Sequence, residues 1–169
     1  MTTEEFTDEQ IERSSLSHSA ALKFVFAGNA TFTIVSKATG NRFTYKVEEH
    51  EAREGGVLHY VSLLQGSNNE SSFGFLGTIF GKNRWVHSKK SKVGEDAPSV
   101  KGFLWIMGVL SKGSERFEQQ AEFWHEGLCC RCGRKLTVPS SIKTGIGPEC
   151  ARIMAKEEKE ANVRPNYRP

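Results

Sequence analysis

The chain has 169 residues, of which 37% are hydrophobic and 25% are charged, and its net charge at pH 7 is +3. This length and composition are sufficient for a buried core and exclude a disordered or fibrous protein. The small positive charge permits a nucleic-acid partner without requiring one, because the distribution of charge matters more than its sum.

No stretch of the sequence approaches the roughly 18 consecutive apolar residues that a membrane-spanning helix needs. The N-terminal residues also lack the basic start and apolar run of a secretion signal. We therefore expect a cytoplasmic protein with no membrane partner.

Changes in composition divide the chain into four parts. Residues 1–20 are acidic and poor in large apolar side chains, and we predict a short helix or a mobile arm there. A sheet domain is expected at 21–112, and a helix, a zinc finger and a C-terminal helix at 113–161. The last segment, 162–169, contains two prolines and is predicted to be a flexible tail.

The first part of the sheet domain alternates apolar and polar residues, which is typical of strands with one buried face. Turn-forming residues such as Gly, Asn and Ser separate these runs. The pattern predicts an antiparallel sheet of four or five strands with short connections, in an α+β fold. The predicted strands are 31–35, 42–47, 57–64, 73–80 and, as the fifth, 84–87.

One or two helices are expected to cover this sheet. Asp96 and Pro98 are residue types that favour the start of a helix, and apolar residues recur at helical spacing from Val100 onward. A second helical pattern, residues 115–126, leads directly into the cysteines. We predict that it is a helix ending just before the finger.

All four cysteines lie between residues 129 and 150, and such clustering favours a metal site over a disulfide framework. Cys129 and Cys132 are three positions apart, and Gly133 lets the chain turn so that both thiolates face one ion. Pro148 suits the first position of a helix, which would place Cys150 in the opening turn, where the helix N-terminus favours a thiolate. The sequence thus predicts a zinc ion bound by three cysteines of a treble-clef-like or knuckle finger.

Zinc in a structural site has four ligands, so one more is needed. We favour His125, because its position four residues before Cys129 can bring the imidazole back to the ion. Cys130 is an alternative, although neighbouring residues direct their side chains differently. Another residue or an open position is the third option. Four protein ligands would close the site to a substrate, so we predict a structural role, no catalytic residues and no small-molecule substrate.

The string CxxCGRxLTxPxSIxxGIGPxC, residues 129–150, resembles a short zinc-finger domain of unknown function that occurs in uncharacterised bacteriophage and bacterial proteins. The stretches FAGNATFTIVSKATGNRFTYKV and DAPSVKGFLW resemble a region that accompanies this finger in phage proteins. The resemblance implies a zinc-binding module in a phage or prophage product, which would act in the host cytoplasm. It implies no particular activity.

Two groups of basic residues predict nucleic-acid binding as the leading function, because neither group contains an acid. One group, at 82–92, also contains Trp85, and an aromatic ring beside cations can stack on a base. The other group surrounds the finger. The predicted contact residues are Arg84, Trp85, Lys89, Lys90, Lys92, Arg131, Arg134, Lys135 and Lys143.

The rival prediction is a protein-binding module. The final helix contains Glu157, Glu158 and Glu160, which disfavour contact with DNA. A small protein with a helix-covered sheet and an acidic arm would suit an inhibitor of a host defence or replication protein, for example an anti-CRISPR-like inhibitor.

Overall fold

The computed structural model describes residues 18–65, 72–81, 84–111, 119–137 and 139–163. The predicted tail beyond residue 163 and most of the predicted arm lie outside these ranges. In chain order, the elements are α1 (His18–Val25), β1 (Asn29–Ser36), β2 (Arg42–Glu51), β3 (Val57–Leu64), β4 (Phe73–Phe80), β5 (Arg84–His87), α2 (Pro98–Ser111), β6 (Ala121–His125), α3 (Pro139–Thr144) and α4 (Pro148–Val163).

The fold is α+β, as predicted, and its sheet is antiparallel with the strand order β5-β4-β3-β2-β1-β6. The first five strands match the predicted runs, and consecutive strands are neighbours because their connections are short. The sheet therefore has six strands rather than four or five. Within the described residues, no helix is both long and apolar enough to cross a membrane.

The additional strand, β6, corrects the prediction of a helix running up to residue 126. Residues 121–125 pair with β1, from Ser36 opposite Ala121 to Phe32 opposite His125. Their burial alternates, with Ala121, Phe123 and His125 turned inward. The edge of β1 lies far from these residues in the sequence, but it offers them backbone hydrogen-bond partners. Pairing with this edge overrides the local helical pattern. The segment predicted to lead into a separate finger is thus part of the sheet.

The core lies between one face of the sheet and the helices α1 and α2, and it is rich in aromatic rings. The rings of Phe32 and Phe123 stack with their centroids 4.7 Å apart, and Tyr45 lies 5.1 Å from Phe103 of α2. The Tyr45 hydroxyl donates a hydrogen bond of 2.6 Å to the carbonyl oxygen of Ser99. Burial raises the pKa of Tyr45, so this hydroxyl keeps its proton and remains a donor.

Strand β4 contains a glycine, Gly77, over which the ring of Trp85 packs. The register of β3 and β4 shifts between Val61 and Ser62, and Gly77, which lies opposite Val61, also pairs with His87 of β5. A Cβ atom on Gly77 would lie 2.7 Å from the Trp85 ring, so the indole occupies the space that a side chain would need. The same ring lies 5.4 Å from the ring of Phe103. Trp85 is therefore half-buried and packs against the core.

The opposite face of the sheet exposes apolar side chains. Tyr60, Phe75 and Val86 are 38%, 41% and 45% exposed. The rings of Tyr60 and Phe75 contact each other edge to face at 5.6 Å, and His50 lies 4.4 Å from Tyr60. We refer to Tyr60, Phe75 and Val86 as the open-face patch.

Candidate metal centre

The knuckle is a tight hairpin that begins four residues after β6. The amide of Cys129 donates to the carbonyl of Arg134 at 2.8 Å, and the amide of Gly133 donates to the carbonyl of Cys129 at 2.9 Å. Gly133 has a φ of 76°, and a Cβ there would lie 2.8 Å from the Asn29 side-chain nitrogen. Glycine is therefore required both for the turn and for the close approach to β1.

Helix α4 brings the third cysteine to the knuckle. Pro148 is the first residue of the helix and Cys150 lies in its opening turn, as the sequence predicted. Just before the helix, the amide of Gly147 donates a 3.3 Å hydrogen bond to the sulfur of Cys129. This contact joins two segments that are 18 residues apart in the chain.

The sulfur atoms of Cys129, Cys132 and Cys150 all lie within 4.8 Å of one another. A tetrahedral site with metal–sulfur bonds of about 2.3 Å separates its sulfurs by about 3.8 Å, so a small adjustment would let all three contact one ion. We refer to these residues as the thiol cluster. Its geometry and donor type fit a metal ion.

The electrostatics of the thiol cluster also suit a cation. Burial acts to raise the pKa of Cys129, but the amides of Cys132, Gly147 and Arg131 point at its sulfur, and the net effect lowers the pKa to about 7. Burial and the neighbouring thiols of Cys132 and Cys129 raise the pKa of Cys150 to about 11. Cys129 is thus more readily ionised than Cys150, and a positive ion among the sulfurs would favour the thiolate form.

Cys130 points away from the thiol cluster and into the hydrophobic core, where it is only 4% exposed. Its amide donates to the carbonyl of Gly145 at 3.0 Å, and its carbonyl accepts from the amide of Asn29 at 2.7 Å. Burial, and next the charge of Cys129, raise its pKa to about 12. Cys130 therefore anchors the knuckle to β1 as an apolar side chain, and the structure does not bring it to the cluster.

His125, the favoured fourth ligand, is not brought to the cluster either. Its Nε2 hydrogen-bonds to the carbonyl oxygen of Ile142, and its Nδ1 accepts from the amide of Gly127 at 3.0 Å. The ring stacks on Phe24 of α1 with centroids 6.0 Å apart. Both ring nitrogens are thus already used. The inward alternation of β6 is the sequence signal that would have indicated this structural role.

The neutral form of His125 suits these contacts. Burial lowers its pKa, while the Ile142 carbonyl and the charge of Glu126 act in the opposite direction with smaller effect. A neutral ring can donate through Nε2 and accept through Nδ1 at once, whereas a protonated ring cannot accept. His125 therefore connects the end of β6 to α3.

The loop between α3 and α4 is held against α1 at Gly145. This residue has a φ of 74°, and a Cβ there would lie 2.6 Å from the Phe24 ring. Its carbonyl accepts the hydrogen bond from Cys130, and its amide donates to the carbonyl of Ser141 at 2.8 Å. The segment that carries Cys150 is thus positioned by the core.

The basic residues of the finger differ in their surroundings. Arg134, Lys135 and Lys143 are exposed. Arg131 is mostly buried, and its Nη2 donates a 2.8 Å hydrogen bond to the Glu157 carboxylate of α4. Three of the four basic residues predicted for the finger surface are therefore open to a partner.

The second basic group lies at the opposite edge of the sheet. Arg84, Lys89, Lys90 and Lys92 are exposed on or just after β5, whereas the finger follows β6. Five strand spacings of about 4.8 Å put these two edges about 24 Å apart. The two groups do not form one continuous surface. Trp85 is half-buried, with its ring packed over Gly77 and beside Phe103, so its stacking on a base stays a prediction.

Residues 119–155 match the model of a family of unknown function, DUF6011. The match begins just before β6 and includes the whole thiol cluster and the first half of α4. The matched unit thus coincides with the edge strand and the finger taken together. No curated protein and no solved structure matches the chain.

Proposed function

We propose that the protein binds zinc at the thiol cluster and nucleic acid through the exposed cations of the finger. Thiolate donors in a tetrahedral arrangement are characteristic of zinc sites in proteins. When bound, the ion would supply folding energy, typically about 10 to 16 kcal/mol of apparent binding free energy for structural zinc peptides. Cys129, Cys132 and Cys150 would hold it.

The observation that carries the nucleic-acid proposal is the set of exposed cations around the cluster. Arg134 and Lys135 belong to the knuckle, and Lys143 belongs to α3. Among the described residues, none of the three takes part in an ion pair. Unpaired cations on a rigid loop can neutralise phosphates and release counterions, which is the main source of affinity for nucleic acid.

The glutamates of helix α4 repel nucleic acid less strongly than their number indicates, because Glu157 and Glu158 are paired with basic side chains. The Glu157 carboxylate lies 2.8 Å from Arg131, and the Glu158 carboxylate lies 3.4 Å from Lys23. Each pair reduces the negative field that an approaching phosphate would meet. This favours the finger as the binding surface.

A matched pair of triple variants tests the proposal. Fluorescence anisotropy would measure binding of the zinc-loaded chain to labelled single-stranded DNA, duplex DNA and RNA between 50 and 200 mM salt, concentrations over which binding weakens by roughly 10³ to 10⁵ when six to ten phosphates are neutralised. The test variant is Arg134→Ala/Lys135→Ala/Lys143→Ala. The control, Lys89→Ala/Lys90→Ala/Lys92→Ala, removes the same charge from the opposite edge of the sheet.

We expect the finger variant to bind at least about tenfold more weakly, with a salt slope lower by about 0.9 for each duplex phosphate that is no longer neutralised. The control should stay close to the unmodified chain. Equal weakening in both variants would contradict the finger as the particular binding surface, because either net charge alone attracts the nucleic acid or the basic group after β5 binds it as well. Absence of binding at the lowest salt concentration would exclude the proposal.

The second candidate function is protein binding, and the open-face patch favours it. Tyr60, Phe75 and Val86 expose apolar area on neighbouring strands, and aromatic residues are frequent energetic centres of protein interfaces. The partner would be a host protein if the chain is phage-encoded. In a pull-down from host lysate, Tyr60→Ala/Phe75→Ala should lose a partner that the finger variant retains; retention by both variants would exclude the patch.

A further inference from the structure

We infer that the metal ion is bound by only three side chains of this chain and keeps its fourth coordination position for a thiolate supplied from outside. This inference rests on the proposed zinc site. It goes beyond a closed structural site, because a metal with an exchangeable position can bind a ligand directly.

The first support is that the other candidate ligands near the thiol cluster are already engaged in contacts elsewhere in the fold. His125 uses both ring nitrogens, for Ile142 and Gly127, and is 5% exposed. Cys130 is buried in the core. Across the described ranges, the group of histidine, cysteine and acidic side chains close enough to share an ion consists of the three cluster cysteines.

The second support is space beside the sulfurs. The thiol cluster lines a hollow of about 330 Å³, whose other walls include Leu136, Ser141 and Ile153. Cys132 is exposed, so the hollow is reached from solvent. A water molecule takes about 30 Å³ of liquid volume, so the hollow has room for the donor end of a ligand or a side chain.

The third support is that the charge of the side chains around the hollow determines which type of donor atom is favoured at the fourth position. Three thiolates around a divalent ion have a net charge of −1, and a fourth anionic donor needs compensation nearby. Arg134 and Lys135 line the same hollow as the cluster. The acid that also lines it, Glu149, lies 3.3 Å from Arg152. Positive charge at the rim, together with the affinity of zinc for sulfur ligands, favours a thiolate.

Two sources could supply this thiolate: a small free thiol or a cysteine of another protein. A second copy of this chain is a poor source, because three of its cysteines form its own cluster and Cys130 is buried. The shared chemistry is one sulfur donor bound at the metal.

Cobalt substitution tests the inference on the full chain. Co²⁺ bound to thiolates absorbs visible light, and its bands move when a ligand changes. The Co²⁺-loaded protein would be titrated with 2-mercaptoethanol, and in a second arm with a short cysteine peptide and its serine counterpart. We expect a saturable band shift at one thiol per cobalt and none with the serine peptide. A shift with the small thiol alone would indicate a small-molecule source, and tighter binding of the peptide would indicate a protein source.

The variants His125→Asn and Glu149→Gln test whether either of these side chains occupies the fourth coordination position of the metal. We expect both to leave the thiol-free spectrum unchanged, and Glu149 is exposed, so its replacement should not impair folding. No band shift with either thiol, a changed thiol-free spectrum in Glu149→Gln, or a changed one in a His125→Asn variant that keeps the far-UV circular dichroism of the unmodified chain would overturn the inference. Failure of the unmodified chain to bind cobalt or zinc stoichiometrically would instead remove the proposed metal site itself.

Discussion

The sheet with α1 and α2 and the finger at residues 126–150 are stabilised in different ways. The sheet region buries large rings from several elements, including Phe32, Tyr45 and Phe103. The finger buries little apolar area of its own, and the buried side chains among its described residues are Cys129, Cys130, Leu136 and Ser141. Burial can order the first region unaided, whereas the second depends on anchors to the core and, in our proposal, on a metal.

The largest expected effect comes from removing one thiolate without disturbing the core. Cys132 is exposed, so Cys132→Ala deletes a proposed ligand and leaves no buried cavity. We expect this variant to lose stoichiometric zinc binding. The zinc-binding free energy lost with it should be on the order of the 10 to 16 kcal/mol typical of structural sites. Metal analysis measures the zinc content. Hydrogen exchange should show reduced protection of the amides in the finger and unchanged protection of those in β1 to β4.

Cys130→Ala is the matched control for this experiment. It removes a buried thiol that points into the core, so it should keep one zinc per chain and lose only modest stability. Zinc retained by Cys132→Ala, or absent from Cys130→Ala, would contradict the assignment of the two roles.

A smaller effect is expected at the contact between the two regions. Gly145 and Gly127 both have a φ of 74°, but a Cβ meets the Phe24 ring only at Gly145, and nothing lies within 4 Å at Gly127. Both alanine variants incur the backbone strain, and Gly145→Ala adds overpacking of about 1 to 3 kcal/mol. Urea unfolding of the two variants measures the difference. Equal destabilisation would show that the finger does not depend on close packing against α1.

The smallest expected effect is on the pH dependence of stability. Burial lowers the pKa of His125 in the folded state below its unfolded value near 6.5. Its contribution is therefore fully present above that unfolded value and is lost as the pH falls through the folded value. The free energy of unfolding of the zinc-saturated chain should fall more steeply below pH 6.5 than that of His125→Asn. Since acid would release the proposed zinc ion from both proteins alike, the difference between the two curves isolates His125.

The sequence predicted the features that depend on local patterns. Alternation identified β1 to β5, Pro98 marked the start of α2, and the spacing of Cys129, Cys132 and Cys150 indicated the cluster. Each of these signals lies within a short stretch of chain. Local chemistry was sufficient to predict them.

The features that depend on distant partners could not be predicted. β6 is a strand because the edge of β1 is free, and His125 is occupied because Ile142 and Phe24 lie beside it. The separation of the two basic groups depends on strand order, which the positions of the strands in the sequence do not determine. Trp85 is half-buried beside Phe103 because Gly77, on the neighbouring strand, leaves its ring room.

The pairing of β6 with β1 has a consequence for the behaviour of the chain in a metal-poor cell. β1 is eight residues long, and β6 is the five-residue strand that covers its outer edge. If release of the ion loosens the finger enough to detach β6, unsatisfied amides and carbonyls along β1 become a template for other polypeptides. We then expect the zinc-depleted protein to aggregate. Sedimentation would detect this aggregate before any decline in nucleic-acid binding could be measured.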